Sequence, residues 1–138
     1  MDLKISQKKE SKIMMELTIN GQVYQFNAGI GFMRKMNQRA SVKYEGTSLK
    51  RDTGLTYLVA DLMDGDIETL ILTLDTMNEG KTPRLTKNQI EDFLEDENTD
   101  IDKVFQDVLD FLKKSNCTKK AVLDIEKAVQ EKQGQQKQ

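Results

Sequence analysis

Met15-Glu16-Leu17-Thr18-Ile19-Asn20-Gly21-Gln22-Val23-Tyr24-Gln25-Phe26 is the stretch from which the fold is read. Both central positions of a type I′ turn need positive φ, which Asn and Gly tolerate, so Asn20-Gly21 between two short extended runs signals a hairpin. Pairing outward from that turn sets Ile19 opposite Gln22, Leu17 opposite Tyr24 and Met15 opposite Phe26. The register gathers five large apolar side chains on one face and leaves Glu16, Thr18, Val23 and Gln25 on the other. A lone two-stranded hairpin is marginal in water, so its apolar face must be covered by helices or by strands of another subunit.

Downstream the apolar spacing becomes helical. Phe32, Met33 and Met36 predict a short helix over about Ala28 to Arg39, followed by a polar loop through Tyr44-Glu45-Gly46. Leu55, Leu58, Val59, Leu62 and Met63 form an i, i+3, i+4, i+7, i+8 stripe that Asp52 or Thr53 can cap. Asp64-Gly65-Asp66 supplies a stop, a connection and a new cap for Ile67, Leu70, Ile71, Leu74 and Met77, which predicts an antiparallel helix pair. Asn78 to Arg84, with Gly80 and Pro83, reads as a breaker loop, and Thr86-Lys87-Asn88-Gln89 has capping-box spacing before Ile90, Phe93 and Leu94. Thr99 or Asp100 starts a longer helix with Ile101, Val104, Phe105, Val108, Leu109 and Leu112, and Lys113-Lys114 suits its C-terminal dipole. Thr118 can cap a last helix whose thin apolar edge is Ala121, Val122, Ile125 and Val129.

The fold class is therefore α+β, predominantly α-helical: an N-terminal β-hairpin followed by about five to six amphipathic helices. A single domain is expected over residues 15–130, between a flexible basic arm (1–14) and a Gln/Lys-rich disordered tail (131–138). Met14 or Met15 is a candidate natural start.

A chain of 138 residues supports one modest core without disulfide or metal staples. Its longest apolar stretches fall far short of the roughly 20 residues a membrane span needs, and its basic N-terminus leads into no apolar signal core. The single cysteine, Cys117, has no intramolecular partner, and the absence of histidine excludes the usual zinc sets and every histidine-based triad. Charge is segregated. Residues 1–53 carry ten Lys/Arg against five Asp/Glu, residues 54–112 four against fifteen, and residues 113–138 seven against three. Such polarity suits head-to-tail or charge-steered association with protein partners.

Asp96, Asn98, Asp100 and Asp102 alternate like the first ligands of a calcium loop. Ile101 stands where that loop needs its turn glycine and Asp107 where it needs a bidentate glutamate, so no calcium site is read. Gly29-Ile30-Gly31 lacks the third glycine and the lysine of a phosphate loop and reads as a helix-entry turn. Arg34, Lys35, Arg39, Lys43, Lys50 and Arg51 are basic but form no nucleic-acid motif. Asp64 with Asp66, and Glu91 with Asp92, are explained as helix-end residues rather than as acid and base. No cofactor, metal or catalytic residue is assigned. Leu17, Tyr24, Phe26, Val122, Ile125 and Val129 are the candidates for partner binding or self-association, because they belong to apolar edges that need covering.

Met15-Glu16-Leu17-Thr18-Ile19-Asn20-Gly21, Tyr24-Gln25-Phe26-Asn27 and Gly29-Ile30-Gly31-Phe32 resemble the opening of the tail assembly chaperones of siphophages and prophages of Gram-positive bacteria. Asp52-Thr53-Gly54-Leu55, Leu62-Met63-Asp64-Gly65-Asp66, Pro83-Arg84-Leu85-Thr86 and Asp107-Val108-Leu109-Asp110-Phe111-Leu112-Lys113-Lys114 continue the likeness over roughly residues 15–130. The resemblance implies a non-enzymatic chaperone that binds the tape measure protein and keeps it soluble until the tail tube assembles around it. It also implies a homo-oligomer, recruitment of the tail tube protein through a longer frameshift product, action in the bacterial host cytoplasm and absence from the mature virion. A structural tail completion or connector protein retained in the virion is the alternative, followed by a DNA-binding regulator.

Overall fold

The computed structural model describes residues 13–136; of the expected basic arm, residues 1–12 lie outside them. The elements run β1 (Met15–Ile19), β2 (Gln22–Phe26), α1 (Ile30–Asn37), β3 (Ser41–Lys43), β4 (Lys50–Asp52), α2 (Gly54–Met63), α3 (Ile67–Asn78), α4 (Lys87–Glu95), α5 (Ile101–Lys114) and α6 (Lys119–Gln136). This is the expected predominantly helical α+β architecture with an N-terminal hairpin.

β1 and β2 pair in the expected register, Met15 opposite Phe26 and Leu17 opposite Tyr24, around Asn20 and Gly21 at φ 52° and 77°. Ile19, Tyr24 and Phe26 are buried, Met15 and Leu17 half-buried, and the opposite face is exposed. The cover comes from helices of the same chain: β2 packs on α3. Two polar tethers fix that docking. Asn27 N–H donates to the Met77 carbonyl at 2.9 Å, and the buried Asn78 side chain donates from Nδ2 to the Gln25 carbonyl at 2.9 Å. The other end of the Asn78 amide accepts from Leu85 N–H at 2.6 Å and from Arg84 Nη1 at 2.9 Å. One asparagine thus joins the end of α3, the edge of β2 and the loop into α4, while Arg84 also reaches Asp75 at 2.8 Å. Asn78 is the last residue of α3, where the sequence suggested only the start of a breaker loop.

α2 and α3 pack together across Asp64-Gly65-Asp66, with Gly65 at φ 78°. Leu58, Val59, Leu62, Leu70 and Leu74 are buried between them and their neighbours, each contributing about 1.5–3 kcal/mol relative to exposure. The start of α2 differs from expectation. Asp52 belongs to β4, and Thr53 stands at the cap position without a side-chain bond to the helix. Asn37, at the end of α1, supplies that bond instead: its Oδ1 accepts from Leu55 N–H at 3.2 Å. Gly54 makes the meeting of α1 and α2 possible, because a Cβ there would lie 1.8 Å from the Met36 carbonyl oxygen.

α4 begins with the expected capping box, Gln89 N–H to Thr86 Oγ1 at 3.2 Å and Thr86 N–H to Gln89 Oε1 at 2.8 Å. Asp100 caps α5 by accepting from Lys103 N–H at 3.1 Å, while Thr99 donates its hydroxyl to the Phe93 carbonyl. At the α5–α6 turn the buried Thr118 does not cap α6 with its side chain. Its hydroxyl donates backward to the Leu112 carbonyl at 2.6 Å, satisfying one of the orphan acceptors at the end of α5.

Two stretches carry more order than the sequence suggested. β3 and β4 pair within the expected polar loop, three residues each and with no apolar alternation to announce them. α6 continues through Gln136, past the expected boundary at 130; Glu131, Lys132 and Gln133 are good helix formers that offset the cost of Gly134. Residues 137 and 138 lie outside the described residues.

Replacing Asn78 with Ala strands the buried Leu85 N–H and unpairs the Gln25 carbonyl, and is expected to lower stability by about 2–4 kcal/mol. Asp75→Ala, which removes a half-buried partner of Arg84 near the surface, should cost under about 1 kcal/mol; equal effects in urea unfolding would refute the central role of Asn78. Gly54→Ala should cost about 3 kcal/mol or more by forcing α1 and α2 apart. Gly31→Ala, with open space around its Cβ, should be neutral or stabilising by up to about 1 kcal/mol in the same assay.

Candidate partner-binding surfaces

Three of the candidate contact residues sit on the hairpin and three on α6, and the structure treats them differently. Tyr24 and Phe26 are consumed by the core of their own chain, and Leu17 is half-buried beside them. On α6, Val122 is buried, Ile125 is half-buried and Val129 is 43% exposed. The first turns of α6 are therefore anchored on α2 and α5, and its apolar edge emerges into solvent farther along.

That emergence shapes a trough. Met63 of α2, Leu109 of α5 and Val122 and Val129 of α6 line a groove of about 430 Å³, rimmed by polar side chains that include Gln106 and Gln130. Lys113 and Glu126, which also line it, form an ion pair at 3.0 Å that ties α5 to α6. An apolar strip with polar edges between two helices is the geometry that receives one face of a third helix. Val122 and Val129, read from the sequence as one stripe, come together here; the hairpin residues do not join them.

The helical stripes leave out other exposed apolar side chains. Ile30, 57% exposed at the start of α1, borders a second recess of about 370 Å³ with Ile13, Ala28 and Cys117. Tyr44 and Leu49 stand at the tip of the β3–β4 hairpin, and Leu123 lies on α6 away from the buried stripe. Only an apolar residue placed off its helical stripe, or inside a polar loop, hints at these in the sequence.

Two carboxylates of the acidic stretch before α5 make local hydrogen bonds. Asp96 accepts from Asn98 N–H at 2.8 Å and Asp100 caps α5; among the described residues no group of acidic or thiol side chains is arranged to hold a metal ion. The hydrogen bond and charge of Asp107, one turn away, hold the Lys103 ammonium above its ordinary range, as in any exposed i, i+4 pair. No described helix is long and apolar enough to cross a membrane.

No curated protein and no solved structure matches the chain. The family model for the phage tail assembly chaperone protein matches residues 16–127, from β1 into α6 and through every buried element between them. With that match covering most of its length, the chain belongs to the phage tail assembly chaperone family.

Proposed function

We propose that the chain binds the tape measure protein in the host cytoplasm, keeps it soluble and promotes assembly of the tail tube around it, acting without catalysis. The observation that carries this reading beyond family membership is the trough along α5 and α6. It sets apolar side chains of three helices among polar ones, a lining suited to an amphipathic helix of a long, otherwise aggregation-prone chain. Several copies along one tape measure chain would cover successive helical segments. A longer product made by ribosomal frameshifting would carry the same domain and recruit the tail tube protein, and neither product would remain in the finished virion.

Co-expression with the tape measure protein of the same phage or prophage, followed by affinity capture, tests the reading. The expected result is a soluble tape measure protein retained in stoichiometric amount; an insoluble one with no capture would sink the proposal, and the chain's presence in purified particles would favour a structural tail protein instead. Val129→Asp places a charge in the open part of the trough and should leave the unfolding midpoint nearly unchanged while weakening capture about tenfold or more. Capture at wild-type strength would remove the trough from the proposed interface.

A further inference from the structure

β3 and β4 form an arm between α1 and α2. Every residue from Lys43 to Asp52 is exposed, and this two-stranded sheet leaves one edge of each strand unpaired. Its register sets Lys43 directly opposite Lys50, a like-charged pair that works against the hairpin in isolation. Among the described residues neither lysine is ion-paired. At the tip, Tyr44 N–H donates to the Leu49 carbonyl at 2.9 Å, with the Arg51 guanidinium 5.9 Å from the Tyr44 ring. Tyr44 and Leu49 are 50% and 66% exposed. Paired cations beside two exposed apolar side chains suit an anionic surface with an apolar centre.

The same chain presents such a surface. Residues 91–102 contain seven carboxylates and no Lys or Arg, and among the described residues none of the seven is ion-paired. A recess of about 250 Å³ lies there, between the β1–β2 turn and the α4–α5 junction, with Asp92 and Asp96 flanking Phe93. We propose that the arm of one copy docks on this recess of a second copy, Lys43 and Lys50 against Asp92 and Asp96, with the apolar tip toward Phe93. Every copy carries both halves, and the halves are different surfaces, so the contact repeats head to tail. The docked carboxylates relieve the repulsion between the two lysines. The arrangement lines up successive chaperones on one long partner and in that sense builds on the proposed function, but its test needs no tape measure protein.

Sedimentation velocity of the purified full-length chain, over a concentration series at low and high salt, reads the contact directly. The expected result is oligomers that grow with concentration at low salt and dissociate as salt rises. K43E/K50E and D92K/D96K should each be monomeric with the circular dichroism of the wild type, and mixing the two should restore association, because each then offers the complement of the other. The milder K43Q/K50Q should raise thermal stability by removing the cross-strand repulsion and still weaken association, a combination that a purely structural role for the lysines does not give. A wild type that stays monomeric at low salt, an arm variant that assembles normally, or a mixture that stays apart overturns the proposal. If the wild type is monomeric and K43E/K50E loses tape measure capture, the arm serves that partner instead, and the chaperone reading stands while this one falls.

Discussion

Asn78 closes α3 with an amide that faces three segments at once, and the placement of the hairpin depends on it. Its donor end takes the Gln25 carbonyl of β2 and its acceptor end takes Leu85 N–H and Arg84. A two-stranded hairpin has too little surface to hold itself in place, and apolar contact alone would let it slide along the helix. A buried amide with partners on both ends tolerates one position only, since any shift leaves a polar group unpaired in the core. The Asn27–Met77 backbone bond adds a second point to the same line, so the hairpin, α3 and the entry to α4 are set as one unit on which α2 packs, with α5 and α6 packed in turn on α2.

A similar economy governs the junction of α1 and α2. The end of one helix meets the start of the next so closely that Gly54 has no room for a side chain, and the orphan donor at Leu55 is satisfied by Asn37 from the preceding helix. Thr53, the residue best suited by type to cap α2, leaves its buried hydroxyl without a hydrogen-bond partner among the described residues.

What the sequence announced was local. Asn20-Gly21 dictated the hairpin register because turn conformation and strand pairing involve neighbours only; Thr86 with Gln89, and the stripes from Leu55 to Met77 and from Val104 to Leu112, are equally short-range signals. What it withheld depended on distant partners. Nothing around Asn78 shows that Gln25, 53 residues earlier, needs a donor, and nothing around Thr118 shows that its hydroxyl turns back to Leu112. β3 and β4 were hidden for the opposite reason: an exposed arm buries no face, so it imprints no apolar period. The candidate surface was legible in part, since Val122 and Val129 do share a trough, whereas Met63 and Leu109 stand in the sequence as ordinary members of core stripes and only the packing of three helices brings them to its lining.

The attachment of the arm has a bearing on how such a protein can diversify. Thr53 N–H donates to the Ala40 carbonyl at 2.8 Å, so the two strands leave and rejoin the body at a single stapled gate, and the core residues lie outside it. Lengthening an exposed loop closed at its base costs little, about 0.6 kcal/mol for each doubling. The segment from 41 to 52 is in effect a cassette: its length, charge and tip can be exchanged while the helices and the first hairpin remain as they are, which gives the fold a route to new partners that does not pass through its stability.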